Sequence, residues 1–229
     1  MKKINLNSIL GVACLSVYLL LTACSTNLLQ LGYAPQINEF SNQAKTYAYE
    51  CQGGYHFTAS IDNQQAWLFL PERTVTLMHV SAASGMKYSG EQIIFWSKNK
   101  EAMLEIKGML YQGCKNNPAK AIWEHAKLEG VDFRAVGHEP DWVLELIKGE
   151  RIVFNRPLAA EKLEFDYISP VIDQATRTTH YRIKAKQSSL FVEIKGVSCR
   201  DSMSGELFEA TVNMIVEGQT YKGCGRALH

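Results

Sequence analysis

Thr74-Val75-Thr76-Leu77-Met78-His79-Val80 is the clearest strand in this chain, because its side chains alternate between two faces. Val75, Leu77 and His79 share one face, and the other four residues share the opposite face. Similar short runs lie on both sides, separated by turn residues. These runs are Thr46–Glu50, His56–Ile61, Ala66–Leu70, Met86–Tyr88, Gln92–Trp96, Ala102–Ile106 and Met109–Gln112. Eight strands in so short a stretch predict a small antiparallel barrel or sandwich over residues 45–117.

A helix is predicted directly after these strands. Asn117 suits a helix N-cap, Pro118 suits the first turn, and Gly130 suits the end. Between those ends, Ile122, Trp123 and Ala126 form one apolar stripe. We therefore expect residues 118–130 to form a helix that connects two domains.

Residues 131–229 return to alternating runs and predict a second antiparallel β domain. In Leu190–Val197, for example, apolar residues alternate with Glu193 and Lys195. The other expected strands are Asp132–Val136, Trp142–Ile147, Arg151–Phe154, Lys162–Tyr167, Thr178–Ile183, Glu209–Val216 and Gln219–Gly223. The predicted fold class is thus all-β: a small eight-stranded unit, a short connecting helix and a second β domain of unknown function.

The amino terminus has the pattern of a bacterial export signal. Met1-Lys2-Lys3 precedes an apolar run, which ends in Leu21-Thr22-Ala23-Cys24. This ending resembles a lipobox, and it predicts a signal peptide over 1–23, a lipid such as palmitate on Cys24 and a tether over 24–44. A transmembrane anchor is the alternative, but the run is short and interrupted by polar residues. Because Ser25 and not Asp follows the cysteine, we expect a lipid anchor in the outer membrane, with the protein facing the periplasm.

Four cysteines remain after the signal and the lipidated residue, and in an oxidising compartment they predict two disulfides. Three pairings are possible, and clustering in the sequence favours Cys51–Cys114 with Cys199–Cys224. None of them has the spacing of a metal site, so no metal is expected, and no cofactor either. The formal net charge of +1 predicts no nucleic-acid partner.

Residues 47–114 resemble the membrane-bound inhibitors of C-type lysozyme, the MliC family. The resemblance rests on four elements in order: Tyr49-x-Cys51, the loop Ser84-Gly85-Met86-Lys87-Tyr88, the strand end Phe95-Trp96-Ser97-Lys98, and the closing Cys114. It implies an eight-stranded barrel whose Ser-Gly-x-x-Tyr loop enters the lysozyme cleft. One departure is Asn99, where the family usually has glycine after the lysine.

The predicted lysozyme-binding residues are Ser84, Gly85, Lys87, Tyr88 and Lys98. The cleft of C-type lysozyme contains two carboxylates, which a hydroxyl and a cation can engage. Ser84 supplies the hydroxyl, Gly85 permits the tight turn, and Lys98 supplies the ammonium. Tyr88 either supports the loop or stacks on the partner, and Lys87 is a second cation that can share the contact. The predicted function is therefore inhibition of C-type lysozyme.

The second domain contains Phe133-Arg134-Ala135-Val136-Gly137-His138-Glu139-Pro140-Asp141-Trp142 and Cys199-Arg200-Asp201-Ser202-Met203-Ser204-Gly205. These segments resemble an uncharacterised family of bacterial envelope lipoproteins. An acid–base or metal cluster of His138, Glu139, Asp141 and Asp201 is one interpretation, and a turn with a disulfide-tethered loop is the favoured one. We predict that the chain is not an enzyme and has no catalytic residues. The alternative function is an envelope-binding or structural lipoprotein that acts through this domain, and an open strand edge permits a homodimer.

Overall fold

The computed structural model describes residues 44–184 and 188–229. The predicted signal peptide, Cys24 and all of the predicted tether except Ala44 lie outside these ranges. The described part of the chain contains no helix with the length and apolar character needed to span a bilayer.

The first eight strands form a closed antiparallel barrel in which each strand pairs with the next in the chain. They are β1 Lys45–Glu50, β2 His56–Ile61, β3 Gln65–Phe69, β4 Thr74–Val80, β5 Met86–Gly90, β6 Ile93–Lys98, β7 Glu101–Ile106 and β8 Met109–Asn116. Of the two folds that the alternation allowed, the barrel is thus confirmed. Strand β8 runs four residues beyond its predicted end.

The barrel closes at a short seam between β1 and β8. Only two residue pairs join these strands in register, Tyr49 with Asn116 and Glu50 with Lys115. A disulfide between Cys51 and Cys114 lies beside this seam and links residues 63 positions apart. The bridge therefore covalently joins the first and last strands where their backbone pairing is shortest.

Inward-facing apolar and aromatic side chains fill the barrel. Tyr49, Phe57 and Phe95 contact one another through their rings, with centroids 5.2 to 5.9 Å apart. Leu68, Leu77 and Leu104 are fully buried around them. The alternation predicted for β4 holds over its first five residues, since Val75 and Leu77 are buried while Met78 is 58% exposed. It fails at the end of the strand, where His79 is exposed.

Helix α1, Pro118–Leu128, follows the barrel directly. The Asn117 side chain accepts a hydrogen bond from the backbone N–H of Lys120 at 3.2 Å, which is the expected N-cap. The helix packs on β1 through buried Ala121 and Ala126. The predicted apolar stripe is partly wrong, because Ile122 is 54% exposed.

A nine-stranded antiparallel sheet forms the core of the second region, confirming the second antiparallel unit. In spatial order its strands are β12 Glu161–Asp166, β11 Arg151–Arg156, β10 Asp141–Ile147, β9 Phe133–His138, β19 Gln219–Ala227, β18 Ala210–Val216, β15 Ser189–Lys195, β14 Thr178–Lys184 and β13 Val171–Asp173. The ring of Tyr167, just beyond β12, lies 6.0 Å from the ring of Tyr181 in β14. The sheet therefore curls around its own apolar core, which includes Trp142, Leu144 and Phe154.

A small two-stranded sheet covers part of the outer face of this larger sheet. Its strands are β16 Cys199–Arg200 and β17 Leu207–Phe208. A disulfide joins Cys199 to Cys224 of β19. Trp123 of α1 contacts Phe208 with ring centroids 5.2 Å apart, so the helix also packs against the second region.

Candidate functional site

The predicted lysozyme-binding residues lie at one end of the barrel. The loop of residues 81–85 joins β4 to β5, and the turn of residues 99–100 joins β6 to β7. In an up-and-down barrel these two connections leave the same end, whereas the β7–β8 turn at Lys107 and Gly108 leaves the opposite end. Two segments that are distant in sequence therefore form one exposed surface.

Ser84 and Lys98 meet on this surface. The Lys98 ammonium Nζ donates to the Ser84 hydroxyl Oγ at 3.5 Å, and both side chains are exposed. Lys98 forms no ion pair with any described residue. A cation and a hydroxyl thus stand together, and the cation keeps its full capacity to pair with an external carboxylate.

Trp96 fixes the backbone of the loop beneath that pair. Its indole Nε1 donates to the Ser84 carbonyl oxygen at 2.8 Å, and its side chain is 36% exposed. The Lys87 ammonium lies 5.9 Å from the centre of the Trp96 ring, a distance typical of a cation–π contact. The site therefore places two ammonium groups, Lys87 and Lys98, around one indole.

Gly85 makes the close approach of the loop to β6 possible. Its φ of +70° lies in the left-handed region, which costs glycine nothing. A Cβ at this position would overlap the backbone carbonyl oxygen of Ser97. Both the conformation and the space therefore require glycine here.

Asn99 begins the β6–β7 turn in a left-handed backbone conformation. Its φ is +57°, in the left-handed region where asparagine is the best tolerated residue after glycine. The departure from the family pattern thus leaves the turn conformation accessible, and Lys98 remains at the strand end before it.

Tyr88 lies inside the barrel and is fully buried. Its hydroxyl donates to the Asp62 carbonyl oxygen at 2.7 Å, and its ring stacks on Phe95 with centroids 6.0 Å apart. Burial, assisted by the nearby Asp62 charge, raises the pKa of Tyr88 to about 12. Of the two roles that the sequence left open, this position favours support of the loop over stacking on a partner.

A polar cavity adjoins the loop at the same end of the barrel. It has a volume of about 600 Å³, and its walls include Asp62, Gln64, Met86 and Tyr47. The Asp62 carboxylate accepts hydrogen bonds from the backbone N–H groups of Gln64 and Gln65 at 2.7 Å, which holds the β2–β3 turn rigid. The exposed end of the barrel is therefore a surface of ordered turns.

Sequence reasoning left Trp96 out of the predicted site residues, although a signal for it was present. Residues two apart on a strand point to the same face, so Trp96 and Lys98 share a face of β6. Lys87 is directly opposite Trp96 in the register of β5 and β6. The spacing could thus have placed the indole between the two lysines.

In the second region, three residues that the sequence singled out come together. His138 contacts Asp141 through Nδ1 at 3.0 Å and Asp201 through Nε2 at 2.9 Å. Glu139 lines the same cavity but makes no ion pair with His138 in the described chain. No group of three or more acidic, histidine or cysteine side chains among the described residues is arranged to hold a metal ion.

Asp201 organises the loop that follows it. Its carboxylate accepts hydrogen bonds from the Ser204 backbone N–H at 2.8 Å and from the Ser204 hydroxyl at 2.7 Å. Burial opposes ionisation of this carboxyl, yet the two Ser204 hydrogen bonds and the adjacent His138 hold its pKa below the ordinary value. This geometry matches the favoured interpretation of a tethered loop.

Comparison with known proteins finds a family model that matches the barrel. Residues 49–113 match the family model described as membrane-bound lysozyme-inhibitor of c-type lysozyme, MliC. The resemblance seen in the sequence is confirmed. The MliC-like barrel carries this match, and the second region lies outside it.

One curated relative is the membrane-bound lysozyme inhibitor of C-type lysozyme from Yersinia enterocolitica. It is 43% identical to the MliC-like barrel over 63 residues, which are 27% of this chain and 53% of the relative. The chain therefore spans about half the length of the curated relative that it matches. Both names describe an inhibitor. No solved structure matches the chain.

Proposed function

We propose that this chain inhibits C-type lysozyme by inserting the loop of residues 81–85, together with the Lys98 ammonium, into the active-site cleft. The observation that carries the proposal is the 3.5 Å contact between Lys98 Nζ and Ser84 Oγ at an exposed end of the barrel. The segment that holds both residues is also the one that matches the inhibitor family.

The chemistry of the partner supports this assignment. C-type lysozyme cleaves a glycosidic bond between one protonated and one ionised carboxyl group. Lys98 would place its charge against the ionised group, and Ser84 would offer a hydroxyl to the other. When a cleft is emptied of water, such charge pairs become stronger than on an open surface.

The surrounding residues would keep this arrangement rigid. Trp96 holds the Ser84 carbonyl, Gly85 lets the loop approach β6, and buried Tyr88 anchors the next strand to the β2–β3 turn. A rigid inhibitor loses little conformational entropy on binding. Lys87, above the Trp96 ring, would act as a secondary cation at the rim of the cleft.

The location of the protein is part of the same proposal. Cys24 would carry lipid and hold the protein at the outer membrane, facing the periplasm. Residues 24–43 can span at most about 70 Å when fully extended, so the barrel would work close to the membrane. There it would meet lysozyme that has crossed the outer membrane.

The test is the lysis of a peptidoglycan substrate by C-type lysozyme in the presence of the full-length protein. We expect stoichiometric inhibition by the unaltered chain and strong weakening in Lys98→Ala. Lys107→Ala is the matched control, because Lys107 is at the opposite end of the barrel and should leave inhibition unchanged. Lysis that proceeds unhindered with the unaltered protein would overturn the proposal.

A further inference from the structure

A continuous row of polar side chains crosses the outer face of the nine-stranded sheet. It contains one residue from each of six adjacent strands, paired in register from strand to strand. The row is Asp141, His138, Lys222, Asn213, Glu193 and His180. The alignment of β9 with β19 pairs Val136 with Cys224, which brings His138 opposite Lys222 by continuation of the same register.

This row lies on the face opposite the apolar core. On each strand the neighbours of the row residues point inward, as Val212 and Met214 do beside Asn213. Strands lie about 4.8 Å apart, so the row extends roughly 24 Å along the sheet.

At both ends of the row, the ionisable side chains already contact partners of opposite charge. His138 lies between Asp141 and Asp201, and Glu193 accepts contacts from His180 at 3.2 Å, Lys195 at 3.1 Å and Asn213 at 3.2 Å. These partners hold the pKa of Glu193 below its ordinary value, His180 contributing most. The side chains at both ends of the row are therefore held in place by their partners.

Lys222, in the middle of the row, is different. Its ammonium pairs with no acidic side chain in the described chain. It lines a cavity of about 450 Å³ together with Asn213, Thr211 and Thr220, and Arg200, Glu139 and Asp201 belong to the same lining. An unpaired cation beside an amide and two hydroxyls is a set of groups suited to a carboxylate and its hydroxyl-bearing surroundings.

A covalently fixed loop forms one wall of this cavity. Cys199 is bonded to Cys224 in the floor, and Asp201 holds His138 from above. The cavity volume is within the range of small-molecule sites, while its lining is unusually polar for one. Such a lining suits a ligand rich in hydroxyl and amide groups.

The position of the cavity in the sheet favours a sugar over a peptide as its ligand. Peptides commonly bind by adding a strand to a free sheet edge, where unpaired backbone groups are available. The strands β9, β19 and β18 are interior strands with both neighbours in place. Recognition here must therefore come from side chains, and the ligand must supply polar groups of its own along its length.

We propose that this cavity binds a carboxylate-bearing sugar of a glycan chain, with Lys222 paired to the carboxylate and Asn213, Thr211 and Thr220 bonded to neighbouring polar groups. The second region would then hold the protein on the acidic glycan of the cell envelope. This site is separate from the loop that carries Ser84 and Lys98.

The test is titration of the full-length protein with two disaccharides, one of which has an additional lactyl ether group that carries a carboxylate. The first is N-acetylglucosaminyl-N-acetylmuramic acid, and the second is the neutral diacetylchitobiose. We expect the acidic sugar to bind roughly tenfold more tightly, the size of one charge-assisted contact. Equal binding of the two sugars, or no binding of either, would overturn the proposal.

Three lysine variants test whether Lys222 causes the preference for the acidic sugar. Lys222→Gln removes the charge but keeps a polar, hydrogen-bonding side chain at an exposed position, so it should fold normally and lose the preference for the acidic sugar. Lys148→Gln removes an exposed lysine from the β10–β11 turn and should keep the preference. Lys98→Ala should also keep it, because that residue belongs to the barrel. A preference that survives in Lys222→Gln contradicts the assignment.

Discussion

Lys98 and Ser84 are 14 positions apart in the sequence, yet the Lys98 ammonium lies 3.5 Å from the Ser84 hydroxyl at one end of the barrel. Three features produce this contact: the β5–β6 register, the indole of Trp96 and the left-handed turn at Gly85. The pair therefore depends on the integrity of the whole barrel end.

Gly85→Ala should weaken inhibition of lysozyme at least tenfold without unfolding the barrel. Alanine at positive φ costs about 1 kcal/mol, and its Cβ would also displace the Ser97 carbonyl or the loop. Gly108→Ala is the matched control, since Gly108 has a φ of +82° and open space around it. The control should lose a similar free energy of unfolding, because its backbone is also at positive φ, and it should keep full inhibition. Equal inhibition by both variants would contradict the role of the loop.

Tyr88→Phe should reduce the alkaline sensitivity of the barrel. Because burial raises the pKa of Tyr88 to about 12, the folded state favours the neutral phenol. Its contribution to stability is complete below pH 10, the unfolded value, and is lost as the pH rises toward 12. Chemical denaturation at pH 8, 10 and 12 measures the free energy of unfolding of both proteins. The variant should lose about 1 kcal/mol at pH 8 from the missing hydrogen bond to Asp62, and its remaining stability should fall less steeply with pH.

The double variant Cys51→Ser/Cys114→Ser should lower the free energy of unfolding by about 4 kcal/mol, the chain-entropy value for a loop of 63 residues. The effect should be large because the bridge closes a long loop and so restricts the unfolded chain strongly. Urea titration of oxidised and variant protein is the measurement. A loss below 1 kcal/mol would contradict this entropic stabilisation.

Asp201→Asn should destabilise the second region by about 1–3 kcal/mol at pH 7, since an ionised acceptor is lost from Ser204 and His138. The pKa of Asp201 is lowered in the folded state, so its stabilisation is present above about pH 4 and disappears as the pH falls further. The difference in free energy of unfolding between Asp201→Asn and the unaltered protein should therefore shrink as the pH falls below about 4. A difference that is constant from pH 7 to pH 3 would argue against an ionised Asp201.

The β architecture was readable from the sequence because most strands expose one face and bury the other. The alternation in Thr74–Val80 is an example, and Asn117 and Pro118 marked the start of the helix. Three strands were not predicted: β13, β16 and β17. Val171 and Ile172 in β13 are 71% and 62% exposed, so this edge strand has no buried face to give a pattern. Strands β16 and β17 have two residues each and depend on the disulfide to Cys224.

The candidate site was only partly readable for a similar reason. Ser84, Gly85 and Lys98 could be named from the motif, but the burial of Tyr88 and the bond from Trp96 to Ser84 depend on barrel closure. The row through Lys222 was not visible at all, because it joins six strands whose register no local pattern specifies. Cross-strand sites of this kind emerge only when the sheet order is known.

Insertion of Lys98 into the cleft can be tested by measuring the affinity of the full-length chain for two forms of C-type lysozyme. One is unaltered, and in the other the ionised catalytic aspartate is replaced by asparagine. Lys98→Ala should cost about 2–5 kcal/mol against the unaltered enzyme and much less against the asparagine form, because the charge that Lys98 pairs with is then absent. An equal cost against both forms would contradict insertion of Lys98 beside the catalytic carboxylates.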